Sequence, residues 1–282
     1  MRVLVTGAAG QVGREIVATC EAAHDQVTAC ARSVLDVTDR DSVLGAISTV
    51  RPALVVHAAA WTAVDACESD PAKAFQHNAL AVRWIADACR RFGAHLVHLS
   101  TDYVFSGNLD RPYVEWDATD PRSVYGRSKR AGELEALAWG STVVRTSWIC
   151  GAHGSNVVKT ILRIAQERTD LAFVDDQRGH PTFASDLAPM VRRLGVDRLP
   201  GIVHVTNAGP VSWFEFAQAV MAAAGHDPAR VRPVGTADLD PPRPAFRPAN
   251  SVLANEVLRL AGYRLLDDFR APLGRLVAEL TG

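Results

Sequence analysis

Val3-Leu4-Val5-Thr6-Gly7-Ala8-Ala9-Gly10-Gln11-Val12-Gly13 decides the fold. An apolar run of strand type meets three glycines spaced GxxGxxG, and residues 11–20 then carry a helical pattern. Glycines at such a junction let the backbone turn tightly and approach a pyrophosphate, and the helix N-terminus behind them faces the anion. The spacing differs from the commoner GxGxxG fingerprint. Three glycines are more than a plain strand-to-helix turn requires. The stretch therefore predicts a dinucleotide site with Gly7, Gly10 and Gly13 around its phosphates.

Outward from this turn, short apolar runs alternate with helical patterns. Strands are predicted over residues 26–30, 53–57, 95–99 and 142–145, and helices over 41–50, 72–92 and 129–139. The strands are apolar throughout rather than alternating, which implies a parallel sheet covered on both faces. The expected fold class is α/β, a Rossmann-like doubly wound sheet with a smaller C-terminal lobe. After Gly151 the texture changes. Helices at 157–167 and 186–194 and a strand at 201–205 precede helices separated by Pro-rich loops. The division expected is an NAD(P)-binding domain over 1–150, with returns near 180–208, and a substrate-binding lobe over 151–179 and 209–282. Residues 240–248, Asp-Pro-Pro-Arg-Pro-Ala-Phe-Arg-Pro, cannot form regular structure. They are either an ordered loop near a site or a linker.

Composition narrows the function. The 282 residues carry a net charge of −1, so no basic field favours nucleic acid or an anionic membrane. No apolar run approaches the roughly 18 residues of a spanning helix. The strand pattern at the start of the sequence leaves no room for a signal peptide. Cys20, Cys30, Cys67, Cys89 and Cys150 form no CxxC pair and are odd in number, which points to a reducing, cytoplasmic setting. His95 and His98 fall on opposite faces of a predicted strand and cannot chelate together.

The carboxylate that would bind an adenosine ribose is missing after the second strand. Arg32 stands there instead and could meet a 2′-phosphate, which favours NADPH, with NADH possible. Asp36, followed by Val37, lies where an adenine amino group could be met, or it caps the next helix. Tyr125 and Lys129, four apart, share one helix face. An ammonium beside a phenol is expected to lower the tyrosine pKa, so that Tyr125 can exchange a proton with a substrate oxygen near neutral pH. Ser100 and Thr101 follow the fourth strand and point to opposite sides, so one hydroxyl should face the site.

These motifs together resemble the extended short-chain dehydrogenase/reductases, and within them the dTDP-4-dehydrorhamnose reductase family. The residues carrying the closer match are Val12-Gly13, the run from Ala58 to Asp65, the run from Ser100 to Phe105, the run from Tyr125 to Lys129, Arg145-Thr146-Ser147-Trp148 and the run from Arg247 to Ser251. The likeness extends from Met1 to about Glu279. It implies NAD(P)H-dependent reduction of the 4-keto group of dTDP-4-dehydro-6-deoxy-L-mannose to dTDP-L-rhamnose. Tyr125 would donate the proton, Lys129 would bind the nicotinamide ribose and tune Tyr125, and Thr101 would polarise the keto oxygen. Gly7, Gly10, Gln11 and Val12 would hold the pyrophosphate, Asp36 and Val37 would take the adenine, and Ala58, Ala59, Ala60 and Thr62 the middle of the cofactor. Thr62, Val64, Asp102 and Trp148 would meet the sugar nucleotide, and Arg247 could pair with its diphosphate.

Some members of that family form a magnesium-linked dimer through carboxylates near the first helix and after a Pro-Thr pair. Here Glu15 is present, but Ser185 falls where the second acid would be, with Asp186 one residue displaced. No metal is therefore expected. The partner expected is a dTDP-sugar, on a monomer or homodimer, with neither nucleic acid nor membrane. Three rivals share the scaffold: a 4-ketoreductase for another dTDP-deoxysugar, a sugar-nucleotide dehydratase or epimerase, and a non-catalytic regulatory subunit resembling that of methionine adenosyltransferase. Tyr103 occupies the place of a dehydratase's second carboxylate.

Overall fold

The computed structural model describes all residues from Met1 to Gly282. Six parallel strands form the central sheet: β1 (Arg2–Thr6), β2 (Gln26–Cys30), β3 (Leu54–His57), β4 (His95–Thr101), β5 (Thr142–Thr146) and β6 (Gly201–His204). Their order is β6-β5-β4-β3-β1-β2. The chain runs outward from β1 to β2 and then returns to β3 on the other side of β1. That reversal opens a crevice at the carboxyl ends of β1 and β3, the place where open α/β sheets bind ligands.

Both faces of the sheet are covered, as continuous apolar strands require. Val3, Val5, Val56, Val97 and Val144 pack under the helices Gln11–Ala22 and Ala184–Asp197. Leu4, Val55, Leu96 and Val143 pack under Arg40–Val50, Ala81–Phe92 and Val124–Leu137. Each such side chain, fully buried, contributes about 1.5–3 kcal/mol of transfer free energy. A third core, built on Ile161, Phe216, Met221, Phe269 and Leu273, forms the C-terminal lobe. The chain leaves the sheet after β5 and re-enters it through the helix Ala184–Asp197 and β6 before joining the lobe again.

Two expectations need correction, and four short strands were not foreseen. The long helix expected over 72–92 is broken by a π-turn at Gln76–Leu80, between helical Pro71–Phe75 and Ala81–Phe92. The helix expected from Lys129 starts earlier, at Val124, because Ser123 caps it by accepting the Gly126 N–H. Tyr125 is thereby placed in its first turn. Four strands of two residues each, among them Ile149–Cys150 and Arg178–Gly179, pair outside the main sheet. They are too short to leave a period in the sequence.

Candidate active site

The crevice at β1 and β3 is a cavity of about 290 Å³ lined by Gly7, Ala9, Gly10, Arg32, Leu35, Asp36, Val37, Ala58–Trp61, Lys73 and His77. Gly7 has φ +66°, and a Cβ there would lie 2.6 Å from the Ala59 backbone nitrogen, so only glycine lets the two loops meet. Gly13 does not face the cavity. Its missing side chain admits the Gly7 carbonyl oxygen, which an added Cβ would approach to 2.1 Å. Gly13 thus packs helix against turn. Gln11 is also redirected: its amide donates to the Ile149 carbonyl and accepts from Asn156, tying the first helix to the lobe. Only its backbone N–H is left for a phosphate. Val12 is buried in the core and likewise offers the crevice only its main chain.

Arg32 lines the cavity, exposed, with no ion-pair partner. Asp36 accepts from the Thr38 N–H at 2.9 Å and hydroxyl at 2.7 Å, which closes its own turn and lowers its pKa. It lines the cavity as a structured turn, and Asp39 rather than Asp36 caps the following helix. Lys73, its ammonium over the Trp61 ring at 4.6 Å, and His77 were not foreseen on this wall. Asn78 was missed as well. Its amide accepts from the Trp61 N–H and donates to the Trp61 carbonyl and to Ser128 Oγ, so it fixes the Ala58–Trp61 loop to the helix bearing Tyr125. The π-turn carries Asn78, and such insertions often mark functional sites.

At the carboxyl end of β4 the two hydroxyls separate as expected. Ser100 Oγ donates to Glu133 on the neighbouring helix, at 2.6 Å. Thr101 Oγ1 donates to Asp102 Oδ1 at 3.0 Å and lies beside Tyr125, whose pKa it lowers. Tyr125 is buried, with the ring of Tyr103 edge-on at 5.8 Å. Its pKa moves opposite to expectation. Burial raises it far above the ordinary phenol range, Asp102 adds to the rise, and only Thr101 opposes it. The Lys129 ammonium does not reach the phenol. It donates to the Leu99 carbonyl at 2.6 Å, and burial lowers its pKa to about 8. Tyr125 is therefore a firmly protonated donor.

Asp102 is 2% exposed, so it supports Thr101 rather than meeting a nucleotide directly. Burial raises its pKa from 3.8 to about 6, opposed by the nearby Ser251 and Thr101 hydroxyls, and Oδ2 has no hydrogen-bond partner. A raised carboxyl pKa favours the folded state below 3.8 and penalises it fully above about 6. Asp102→Asn removes that penalty. It is expected to stabilise the protein by up to about 3 kcal/mol near pH 8 and by almost nothing below pH ~4. Thermal unfolding at the two pH values checks this, and an equal change at both would contradict it.

Trp148 adopts φ +45°, a conformation rare for a bulky residue. Its ring stacks on Trp213 at 3.6 Å, and Gly179 packs against its edge. Thr62 is exposed at the end of the Ala58–Trp61 loop, and Val64 packs beside Cys67, Tyr125 and Trp61. Arg247 is not free for a diphosphate. Both terminal nitrogens bind Asp65, at 2.7 and 2.8 Å, and that carboxylate also accepts the Ala245 N–H. The Pro-rich segment is thereby an ordered loop pinned to the sequence just after Val64.

A glycine cradle at the β1–β3 crevice and a hydroxyl–phenol pair beside it form the arrangement that comparison must explain. A family model described as the RmlD substrate binding domain matches residues 1–281. A dTDP-4-dehydrorhamnose reductase of Streptomyces griseus is 45% identical over 289 aligned residues, covering 100% of this chain and 94% of that protein. The chain belongs to the dTDP-4-dehydrorhamnose reductase family. Within the family, the Bacillus anthracis enzyme, solved in complex with NADP, is similar with a TM-score of 0.94 at 36% identity over 99% of both chains. A Streptomyces antibioticus relative, described as a probable dTDP-4,6-dihydroxy-2-methyloxan-3-one 4-ketoreductase, is 44% identical over 97% of this chain and 93% of its own. No helix of this family member is long and apolar enough to cross a membrane.

Proposed function

We propose that the protein reduces the 4-keto group of dTDP-4-dehydro-6-deoxy-L-mannose with NAD(P)H, giving dTDP-L-rhamnose. One observation carries this reading: Thr101 and the protonated Tyr125 converge beside a glycine-cradled cavity. The cavity fits a dinucleotide, because a glycine turn rather than bulky side chains forms its floor and Arg32 has no other partner. Bound cofactor would supply the hydride.

The remaining work falls to this chain's side chains. Turning the Thr101 O–H from Asp102 to a keto oxygen needs only rotation of a hydroxyl. Tyr125 offers a second hydrogen bond to the same oxygen and gives up its proton as negative charge develops there. Lys129, one turn further along the helix, adds positive charge as the phenolate forms. Trp148, held by Trp213 and Gly179, presents a fixed wall to the sugar. The lobe around residues 151–179 and 209–282 is proposed to bind the nucleotide.

Arg32 is proposed to read the 2′-phosphate, making NADPH the preferred cofactor. A charged hydrogen bond contributes about 1.5–3 kcal/mol, or roughly 10–100-fold in affinity. Arg32→Ala is expected to weaken NADPH binding by that factor and NADH binding by less than about threefold, measured by quenching of tryptophan fluorescence. Equal losses for both cofactors would exclude the role. The substrate is tested by offering the keto-sugar nucleotide before and after 3,5-epimerisation and identifying the product by NMR. dTDP-L-rhamnose from the epimerised sugar alone supports the reading. The Streptomyces antibioticus relative favours one second reading, a 4-ketoreductase for another dTDP-deoxysugar, and faster turnover of such a sugar would establish it.

A further inference from the structure

Beneath the site lies a buried polar row that the scheme above leaves unused. Thr6, His57 and His98 are register partners on β1, β3 and β4, so their side chains leave one face of the sheet. Thr6 Oγ1 and His57 Nδ1 are 2.7 Å apart. The His57 and His98 rings stack with centroids 5.3 Å apart. His98 Nε2 then lies 3.5 Å from Lys129 Nζ, which also donates to the Leu99 carbonyl at 2.6 Å. His57, His98 and Lys129 are each exposed by 2% or less.

Two nitrogens of the row, His57 Nε2 and His98 Nδ1, have no partner. An unpaired buried polar atom keeps its desolvation cost, and such atoms in a native core call for a reason. One layer down, the same strands carry Leu4, Val55 and Leu96, so the fold itself accepts apolar side chains on this face. What imidazole adds over leucine is an uncharged acceptor. Burial and the adjacent ammonium keep both rings neutral. With its proton on Nδ1, His98 can accept at Nε2. An ammonium has three N–H groups, and two fixed acceptors set the direction of the third.

We infer that His98 is a positioning residue for Lys129: together with the Leu99 carbonyl it holds two N–H groups of the ammonium and leaves the third for the bound ligand. The other titratable groups facing Lys129 are Glu133 on its own helix and His57 from the sheet, with Arg145 behind Glu133. The inference rests on the reductase reading, in which Lys129 serves the reaction, but it is testable without the keto-sugar. The chain has three lysines, Lys73, Lys129 and Lys159, so lysine-selective ¹³C labelling gives three resolvable side-chain titrations by NMR. The Lys129 signal is expected to titrate near 8 in the unaltered protein.

His98→Phe keeps the bulk and removes the acceptor. Its Lys129 midpoint is expected to fall by at least about half a pH unit, with the alkaline limb of kcat/KM falling alongside it. His98→Gln, which restores an acceptor oxygen, should bring the midpoint back to within a few tenths of a unit. If His98→Phe does not fold, His98→Leu carries the same comparison. A Lys129 midpoint that is the same with histidine, glutamine and the acceptor-free residue would overturn the inference. The expected midpoint shifts with no keto-sugar turnover in any variant, the unaltered protein included, would support the inference and count against the substrate reading instead.

Discussion

Tyr125→Phe is expected to lower kcat by about 10²–10⁴-fold while leaving cofactor affinity within about twofold, because general acid catalysis by one positioned group is worth that much. Burial keeps the phenol protonated, so the unaltered enzyme always holds the proton that the reduced oxygen needs. Phenylalanine fills the same space, with the Tyr103 ring edge-on to it and Cys67 and Val124 beside it. The loss should therefore fall on kcat rather than on folding. Steady-state rates and a fluorescence titration with NADPH separate the two. Full activity in this variant would remove Tyr125 from the mechanism.

Glu133→Ala is expected to cost about 3–5 kcal/mol of stability, the range seen when one partner of a buried ion pair is removed. Glu133 and Arg145 are each exposed by 1% or less. Two parallel contacts of 2.8 Å join them, and Ser100 and Arg130 bind the same carboxylate. Removing the acid strands a buried guanidinium that has the Phe105 ring at 5.0 Å and His204 at 3.5 Å for company. A domain stable by about 5–15 kcal/mol would lose a large share of that margin. Replacing both partners, Glu133→Leu with Arg145→Met, should recover most of the loss, since the pair's attraction largely offsets its own desolvation. Urea unfolding of the three variants measures both effects. A Glu133→Ala protein within about 1 kcal/mol of the unaltered one would show that the pair is not the anchor described.

The parts legible in the sequence were those whose signal is local. Strand, glycine turn and helix follow one another within thirteen residues, and the crevice forms where they meet. Tyr125 and Lys129 sit one helical turn apart, so their shared face follows from spacing alone. The direction of the Tyr125 shift is not legible in the sequence because burial, which spacing cannot show, outweighs any nearby charge. The row of Thr6, His57 and His98 joins residues from three strands, and Arg247 meets Asp65 from 182 positions away. Such contacts are set by tertiary register and leave no period. The π-turn at Gln76–Leu80 hid inside a good helical pattern, because one extra residue per turn barely disturbs the apolar spacing.

The most direct test of the central claim is the loss of NADPH absorbance when the purified protein meets dTDP-4-dehydro-6-deoxy-L-mannose, formed in situ by a 3,5-epimerase. The account predicts a fast loss that requires the sugar and yields dTDP-L-rhamnose. Bound NADPH with no sugar-dependent loss would contradict it, and would leave the scaffold to another keto-sugar or to a binding role.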